Sequence, residues 1–327
     1  MDKKLIAARL ASHGLLSQTD PISAVRNTIG IQAQAQNQAD LNIFLRTGCT
    51  QDDLTQLYQA KKLVKTWANR WTLHLFTPED WVLVIAARQN EKIPTSYHQD
   101  REAWCYRGAE LLSEVLVRKN DLTLPEIRQI LEADMPDFFG VKSGTYLLYS
   151  TLQIMAQRGQ MILDPLSPRE YHIFRSPDIP LPSEKDALLQ LIPRFQKTFL
   201  THDVDDFCKW LGIRKSTVKP LWEPVKFDNM SAHSDKLILA ARFDSLLTGY
   251  LDKTWLTPSE HVNDMWTKNG ILQAPIIFED QLAGYWTNKI KGDAIIFETH
   301  LWDSVDSPSL SHKFDTLAHF LKKKRLT

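Results

Sequence analysis

The sequence predicts an α+β fold made of three successive units, in each of which helices precede short extended segments. Three observations predict it: capping residues stand in front of prolines, extended runs flank turn residues, and β-rich segments dominate after residue 235. A chain of 327 residues, 43% of them hydrophobic, is long enough for two or three units with sizeable cores. We place the units at residues 1–110, 111–180 and 181–327.

The first unit begins with two predicted helices. Residues 3–12 carry apolar side chains at helical spacing. A second helix starts at Asp20-Pro21, because a capping acid followed by proline is typical of a first turn. Its apolar face is formed by Ile22, Val25, Ile29 and Ile31. On this prediction the segment GIQAQAQNQAD, residues 30–40, lies at the end of the second helix.

A β-hairpin follows in the first unit. After a short helix near residues 51–60, LVKTWAN and RWTLHLF are two predicted strands on either side of Asn69-Arg70. Thr77 then starts a further helix, since it supplies a hydroxyl cap in front of acidic residues in the first turn.

The second unit gives the clearest pattern. Thr123 and Glu126 have the spacing of a capping box, and a long helix is predicted from Ser143 to Arg158. Two extended segments follow, Gln160–Leu163 and Tyr171–Phe174. The order helix, helix, β-hairpin is typical of a winged helix, whose second helix usually enters a DNA groove.

The third unit has helices at about 184–199, 203–211 and 215–223. Strands are then predicted in IIFEDQLAGYW and AIIFETHLW, separated by turn residues. An amphipathic helix closes the chain and ends in KKKR, residues 322–325.

Composition and motifs exclude several classes of function. Lys plus Arg and Asp plus Glu are both 39, which argues against an indiscriminate nucleic-acid binder but leaves a local basic groove open. No HExxH or CxxC motif is present, so we expect no metal, and the absence of GxxxxGKS and GxGxxG argues against a nucleotide cofactor. We therefore expect no cofactor.

The same features indicate the compartment. Cys49, Cys105 and Cys208 are odd in number and far apart, which favours a reducing environment. The N-terminus has no secretory h-region, and no apolar run approaches the length of about 20 residues that spans a bilayer. We expect a cytoplasmic protein without a membrane segment, and a monomer.

Two motifs in the first unit resemble those of a known family. GIQAQ followed by KTWANRWTLHLFTPED is similar to the winged-helix alkylpurine DNA glycosylases, the AlkZ-like family that excises alkylated bases and can unhook interstrand crosslinks. In that family a Q-apolar-Q or Q-apolar-D motif holds the catalytic water, and an R-x-T-x-H strand follows. Here the first motif corresponds to Gln32-Ala33-Gln34 and the second to Arg70 through His74. The resemblance continues through SGTYLLYSTLQIMAQRGQ, ARFDSLLTGYLDKTWL and WTKNGILQAPIIFEDQLAGYW.

The resemblance implies three tandem winged helices around a concave DNA channel. Two departures bear on the substrate. Gln34 stands where the broader-specificity branch has Asp, which resembles the branch linked to self-resistance against bulky crosslinking agents. Trp71 replaces a residue that is usually Gly, and we expect it to narrow the pocket.

The chemistry of alkylated purines explains how amides can suffice. Glycoside hydrolysis usually needs a carboxylate, and a neutral amide cannot act as a base. An N3- or N7-alkylated purine already carries positive charge and leaves without an acid, so the enzyme has to position a water. We expect Gln34 to orient that water and Gln32 to support it or a phosphate. Without a lysine nucleophile, a monofunctional glycosylase that leaves an abasic site is predicted.

The remaining candidates are contacts to double-stranded DNA with alkylated bases. Arg46 and Arg70 are expected to hold DNA phosphates, and His74 to hydrogen-bond the sugar-phosphate or to assist the water. Thr72, Lys289 and Lys291 are the further candidates. Helical residues two apart point about 200° away from each other, so Gln36 and Gln38 are expected only to form a polar helix end.

Several alternatives stay open from the sequence alone. Gln32 and Gln34 can be buried amides that satisfy a bend, and His74 can be structural. The whole chain can be a non-catalytic winged-helix regulator, or a scaffold that never touches DNA.

Overall fold

The fold is known from a computed structural model that describes residues 2–98, 101–139, 144–167, 170–227 and 236–326. Its helices are α1 (Lys3–Ser12), α2 (Pro21–Asn27), α3 (Gln36–Thr47), α4 (Gln51–Gln59), α5 (Pro78–Ala87), α6 (Thr95–His98), α7 (Glu102–Lys119), α8 (Leu124–Asp134), α9 (Gly144–Gln157), α10 (Glu184–Phe199), α11 (Val204–Leu211), α12 (Lys215–Val218), α13 (Ser245–Thr248), α14 (Val262–Met265) and α15 (Ser307–Phe320). Its strands are β1 (Ile31–Gln32), β2 (Val64–Trp67), β3 (Leu73–Phe76), β4 (Asp121–Thr123), β5 (Met161–Leu163), β6 (His172–Arg175), β7 (Ile238–Leu239), β8 (Ala274–Phe278), β9 (Gln281–Lys291), β10 (Ala294–Leu301) and β11 (Lys324–Leu326).

Local sequence signals place the helix starts correctly. The side chain of Asp20 accepts a hydrogen bond from the main chain of Ser23, and Thr77 caps α5 through the N–H of Asp80. Both arms of the predicted capping box between Thr123 and Glu126 are present at the start of α8. These predicted helix starts are confirmed. Capping residues favour a start because they satisfy main-chain donors that the first turn of a helix leaves free.

Two predicted helix ends are wrong. Helix α2 ends at Asn27, because Ile29 and Gly30 take positive φ values of 50° and 96° and turn the chain into β1. The glutamine segment therefore follows a tight turn and not a helix. Helix α15 ends at Phe320, and Lys324–Leu326 forms β11, which pairs in parallel with β10. The predicted start of α9 at Ser143 lies outside the described residues.

The two hairpins predicted in the first two units share one sheet. Its six strands have the order β1-β3-β2-β5-β6-β4, and every neighbouring pair is antiparallel. The junction is the pair β2–β5, in which Lys65 lies opposite Leu163. A buried cluster behind this junction includes Trp67 and Leu73 of the first hairpin together with Leu112 of α7 and Leu152 of α9.

The C-terminal part of the chain forms a second sheet with the order β11-β10-β9-β8-β7. The long hairpin of β9 and β10 accounts for much of the β-structure expected after residue 235. The α+β class is thus confirmed. Helix α7 runs through residues 110 and 111, where the first unit boundary was placed, and the division into three units stays a prediction. None of the helices in the described ranges is both long enough and apolar enough to cross a bilayer.

Candidate active site

The first predicted glutamine, Gln32, lies on a short strand at the edge of the six-stranded sheet. Gly30 makes this possible, since a Cβ atom there would stand 2.3 Å from the ring of Phe76. Strand β1 pairs with β3 so that Ile31 faces Leu75 and Gln32 faces His74. The two sequence motifs are therefore neighbours in space.

The side chain of the second glutamine, Gln34, takes the place of a main-chain acceptor in the pairing of β1 with β3. The N–H of Ala33 donates to the carbonyl of Leu73 at 2.7 Å, which continues the pairing of β1 with β3. The N–H of Leu73 donates in return to Oε1 of Gln34 at 3.2 Å. Because a main-chain N–H can only donate, this contact identifies the amide oxygen and leaves the Nε2 group of Gln34 for other partners.

Arg70 holds Gln32 from the turn between β2 and β3. Its Nη2 donates to Oε1 of Gln32 at 3.2 Å, and its Nη1 donates to the carbonyl of Trp210 at 2.7 Å. Trp210 lies in the last turn of α11, where cations are favourable. Burial lowers the pKa of Arg70 to about 10, so the guanidinium stays charged at neutral pH. Arg70 thus links the glutamine segment to a distant helix.

His74 is only 4% exposed, and this burial disfavours the charged form of its imidazole. Nδ1 lies 3.1 Å from the carbonyl of Thr72, so this nitrogen carries the proton. Burial and the nearby Arg70 lower the pKa of His74 to about 3. The predicted contact of His74 with the sugar-phosphate is incompatible with this burial, and the residue packs inside the hairpin against Phe76.

The two glutamines have different surroundings. Partners directly opposite in an antiparallel pair point to the same face of a sheet. Gln32 and Thr66 both lie opposite His74, whereas Lys65 lies opposite Leu75 on the other face. Gln34 and Lys65 line the same cleft, whereas Gln32 is not part of its lining.

That cleft has a volume of about 780 Å³ and lies where the two hairpins meet. Its polar and aromatic lining includes Gln34, Asp40, Lys65, Tyr149, Asp164 and Tyr171. Apart from Gln34, the sequence did not identify these residues as site candidates, since Lys65 and Asp164 approach each other only through the pairing of β2 with β5. No cluster of three or more His, Cys, Asp or Glu suited to a metal ion occurs in the described part of the chain.

Gln36 and Gln38 are not a solvated helix end. They lie in the first turn of α3 and are buried. Nε2 of Gln36 donates to Asp40 Oδ1 at 2.9 Å and to the Tyr58 hydroxyl at 3.2 Å, and Oε1 of Gln38 accepts from the N–H of Arg242 at 3.2 Å. The prediction is wrong because α3 begins here and packs its first turn inward.

Arg46 is a core residue. Its guanidinium forms a bidentate ion pair with Asp244 at 2.8 and 2.9 Å and donates through Nε to the carbonyl of His13 at 2.8 Å. Both side chains of the ion pair are completely buried. The prediction that Arg46 holds a DNA phosphate is wrong, because no part of the guanidinium reaches the surface.

The remaining candidates are on the surface or near it. Thr72 is half-buried, and its Oγ1 donates to the carbonyl of Asn69 at 2.9 Å. Lys289 and Lys291 are exposed near the tip of the β9–β10 hairpin, where Lys289 pairs with Glu298 at 2.7 Å. Trp71 does not line the cleft beside Gln34, because its half-buried ring lies under the guanidinium of Arg88 at 4.6 Å. The expected narrowing of the substrate pocket by Trp71 stays a prediction.

Comparison with known proteins identifies the family and the fold. The family described as DNA glycosylase AlkZ-like matches residues 25–320. The structure of Streptomyces sahachiroi DNA glycosylase AlkZ superposes with a TM-score of 0.81 at 18% sequence identity, over 99% of this chain and 97% of that one. A search of curated protein sequences finds no significant match. The chain belongs to the AlkZ-like DNA glycosylase family.

Proposed function

We propose that this DNA glycosylase hydrolyses the N-glycosidic bond of N3- or N7-alkylated purines in duplex DNA and leaves an abasic site. The observation that carries the proposal is the hydrogen bond from the Leu73 N–H to Oε1 of Gln34. It fixes an amide at the wall of a cleft that is large enough for a base with a substituent. A fixed amide is suited to holding one water molecule in one orientation.

The reaction needs little acid–base assistance. Water attacks the anomeric carbon, the carbon–nitrogen bond breaks, and its electron pair neutralises the positive charge of the alkylated purine. The proton lost by the water passes to solvent. Gln34 accepts a hydrogen bond from the water with the remaining lone pair of Oε1, or donates to the water oxygen through Nε2.

Gln32 acts as a positioning residue in this proposal. Its Oε1 is held by Arg70, and its neighbour on β3 is His74. These contacts stabilise the short strand from which Gln34 projects. Arg70 and His74 then serve the hairpin and not the phosphate.

DNA binding is proposed to use three winged-helix units around a concave channel, with the protein acting as a monomer. The β9–β10 hairpin supplies two exposed lysines, Lys289 and Lys291, near its tip. The half-buried Thr72 is kept as a further candidate contact. The affinity for DNA falls as salt rises, and each phosphate contact contributes about 1 to the steepness of log affinity against log salt concentration. Changing both lysines to Gln is expected to reduce this steepness by about 2. The exposed Lys3, changed to Gln, is the control, and an unchanged slope in the double variant excludes this hairpin.

Unhooking of interstrand crosslinks is proposed for the same site. A crosslink through N7 of guanine makes that base cationic in the same way as a methyl group does. The cleft has room for a bulky substituent, because 780 Å³ falls within the range of sites for drug-sized ligands.

The decisive experiment is base release from duplex DNA that contains 7-methylguanine. The wild type is expected to free the base and to give strand breaks only after alkali, as a monofunctional glycosylase does. Gln34→Ala should lower the single-turnover rate by about 100-fold or more, because orientation of the nucleophile is lost. Gln56→Ala, an exposed glutamine on α4, is the matched control. DNA affinity of both variants should match the wild type.

The regulator alternative gives a different outcome. A non-catalytic winged-helix protein would bind DNA with salt dependence and release no base from any alkylated substrate. A scaffold would do neither.

A further inference from the structure

Lys65 is a buried cation without a close partner. It lies on β2, is 6% exposed and lines the cleft beside Gln34. No hydrogen bond or ion pair joins its ammonium group to a residue in the described ranges, and Nζ reaches the solvent of the cleft. An ammonium group that is largely withdrawn from water keeps only part of its hydration, so an acceptor placed beside it is favoured. Such a group at a cleft wall indicates that a ligand supplies the acceptor.

The neighbouring carboxylates are occupied by other donors. Oδ1 of Asp40 accepts from the Tyr58 hydroxyl at 2.6 Å and from Gln36 at 2.9 Å. Both oxygens of Asp164 accept local hydrogen bonds, one from the Leu166 N–H and one from the Ser167 hydroxyl. These acids attract Lys65 through space without touching it.

The charge of the cleft selects the kind of ligand. Asp40, Asp164 and Glu170 line it together with Lys65, so its described charged groups are mainly acidic. A phosphate would be repelled by these carboxylates, whereas a cationic base is attracted. The acceptor for Lys65 is then a neutral oxygen on that base.

Two tyrosines provide surfaces on which a base can stack. Tyr149 of α9 is 37% exposed, and its ring meets Tyr171 edge-to-face with centroids 5.6 Å apart. Both rings line the cleft. Enzymes that act on extruded bases commonly hold them against aromatic side chains and read their edges by hydrogen bonds.

We propose that this cleft receives the extruded base and that Lys65 donates to O6 of an N7-alkylated guanine. The inference deepens the proposed function and rests on it. In a 3-alkyladenine the corresponding position is an amino group, which is a donor and would face the ammonium unfavourably. Lys65 therefore makes the enzyme release alkylguanine in preference to alkyladenine.

Release from methylated duplex DNA tests the proposal, because such DNA contains both 7-methylguanine and 3-methyladenine. The two free bases are separated and quantified for the wild type, Lys65→Met and Lys65→Arg. Lys65→Met should lower the ratio of released 7-methylguanine to 3-methyladenine by about tenfold or more, as expected for one charge-assisted hydrogen bond. Lys65→Arg, which keeps a cationic donor, should restore part of the ratio. Lys62→Met, an exposed lysine three residues earlier, is the control.

The outcomes separate this inference from the proposed function. If the wild type releases neither base, the glycosylase proposal fails. If it releases bases and Lys65→Met leaves the ratio unchanged, or lowers both rates equally with normal DNA affinity, only the role of Lys65 is overturned. Borohydride trapping of a covalent complex that requires Lys65 would also overturn it, since the amine would then attack the anomeric carbon and not bind O6.

Discussion

The main-chain N–H of Leu73 donates to the side-chain oxygen of Gln34, where a regular antiparallel ladder would use the carbonyl of Ala33. A side chain thus closes the last rung between β1 and β3. The position of Gln34 depends on a strand that follows about forty residues later. This relationship explains physically why the Q-apolar-Q motif and the R-x-T-x-H motif belong together.

Arg70→Lys distinguishes a positioning role from a phosphate contact. Lysine keeps the charge but cannot donate in a fork to both Trp210 and Gln32. We expect the single-turnover rate of base release to fall by about tenfold or more while DNA affinity is retained. Full activity in Arg70→Lys together with weaker binding in Arg70→Met would instead identify a phosphate contact.

Gly212→Ala should disturb the contact between Arg70 and the end of α11. Gly212 has φ +75°, and a Cβ atom there would stand 2.8 Å from the main-chain nitrogen of Arg70. Gly270 is a matched control, because its φ is +74° and nothing lies within 4 Å of its Cβ position. Both substitutions place an alanine in the left-handed backbone conformation, which costs about 1–2 kcal/mol in the free energy of unfolding. Only Gly212→Ala should lose further stability and base release, and equal effects of the two variants would contradict the clash.

Asp244→Asn should strongly destabilise the fold. It leaves the buried guanidinium of Arg46 with an uncompensated charge, which costs about 3–5 kcal/mol in the free energy of unfolding. Asp52→Asn breaks the exposed pair with Lys322 and should cost less than about 1 kcal/mol. Urea unfolding measures both. A small effect at Asp244 would show that Arg46 is able to leave the core.

Stability should fall as the pH drops below 6.5. Burial lowers the pKa values of His13 and His74 to about 3 from 6.5 in the unfolded chain. The unfolded state therefore binds more protons in this window, and stability present above pH 6.5 is lost towards pH 3. Each histidine contributes a loss of about 2 kcal/mol between pH 6.5 and 5.

The variant His74→Gln tests that contribution. Its free energy of unfolding should depend less on pH between 7.5 and 5 than that of the wild type. The same change at the exposed His319 controls for loss of an imidazole. Identical pH profiles for His74→Gln and wild type would mean that His74 is not buried in the neutral form.

The parts of the fold that could be predicted from sequence are those set by short-range signals. Asp20, Thr77 and Thr123 start helices because each satisfies main-chain donors a few residues away. The first hairpin was recognisable because apolar runs flank Asn69-Arg70. The link between its strand and the glutamines came from motif resemblance and is explained by the pairing of Gln32 with His74.

What the sequence could not supply depends on contacts between distant segments. Arg46 looks like any helical surface arginine until Asp244, nearly two hundred residues later, is placed beside it. Lys65 lines the cleft only because β2 pairs with β5. Gln36 and Gln38 were misplaced because the positive φ values of Ile29 and Gly30, which end α2 early, leave no reliable mark in the sequence.

The shared six-stranded sheet has a consequence for how a damaged base is found. The cleft wall that contains Gln34 and the wall that contains Asp164 belong to the same sheet. The pairing of β2 with β5, at Lys65 and Leu163, joins them. Because both walls belong to one sheet, we expect the cleft to keep its shape when a base enters it. We expect the duplex to make the larger adjustment when a damaged base is bound.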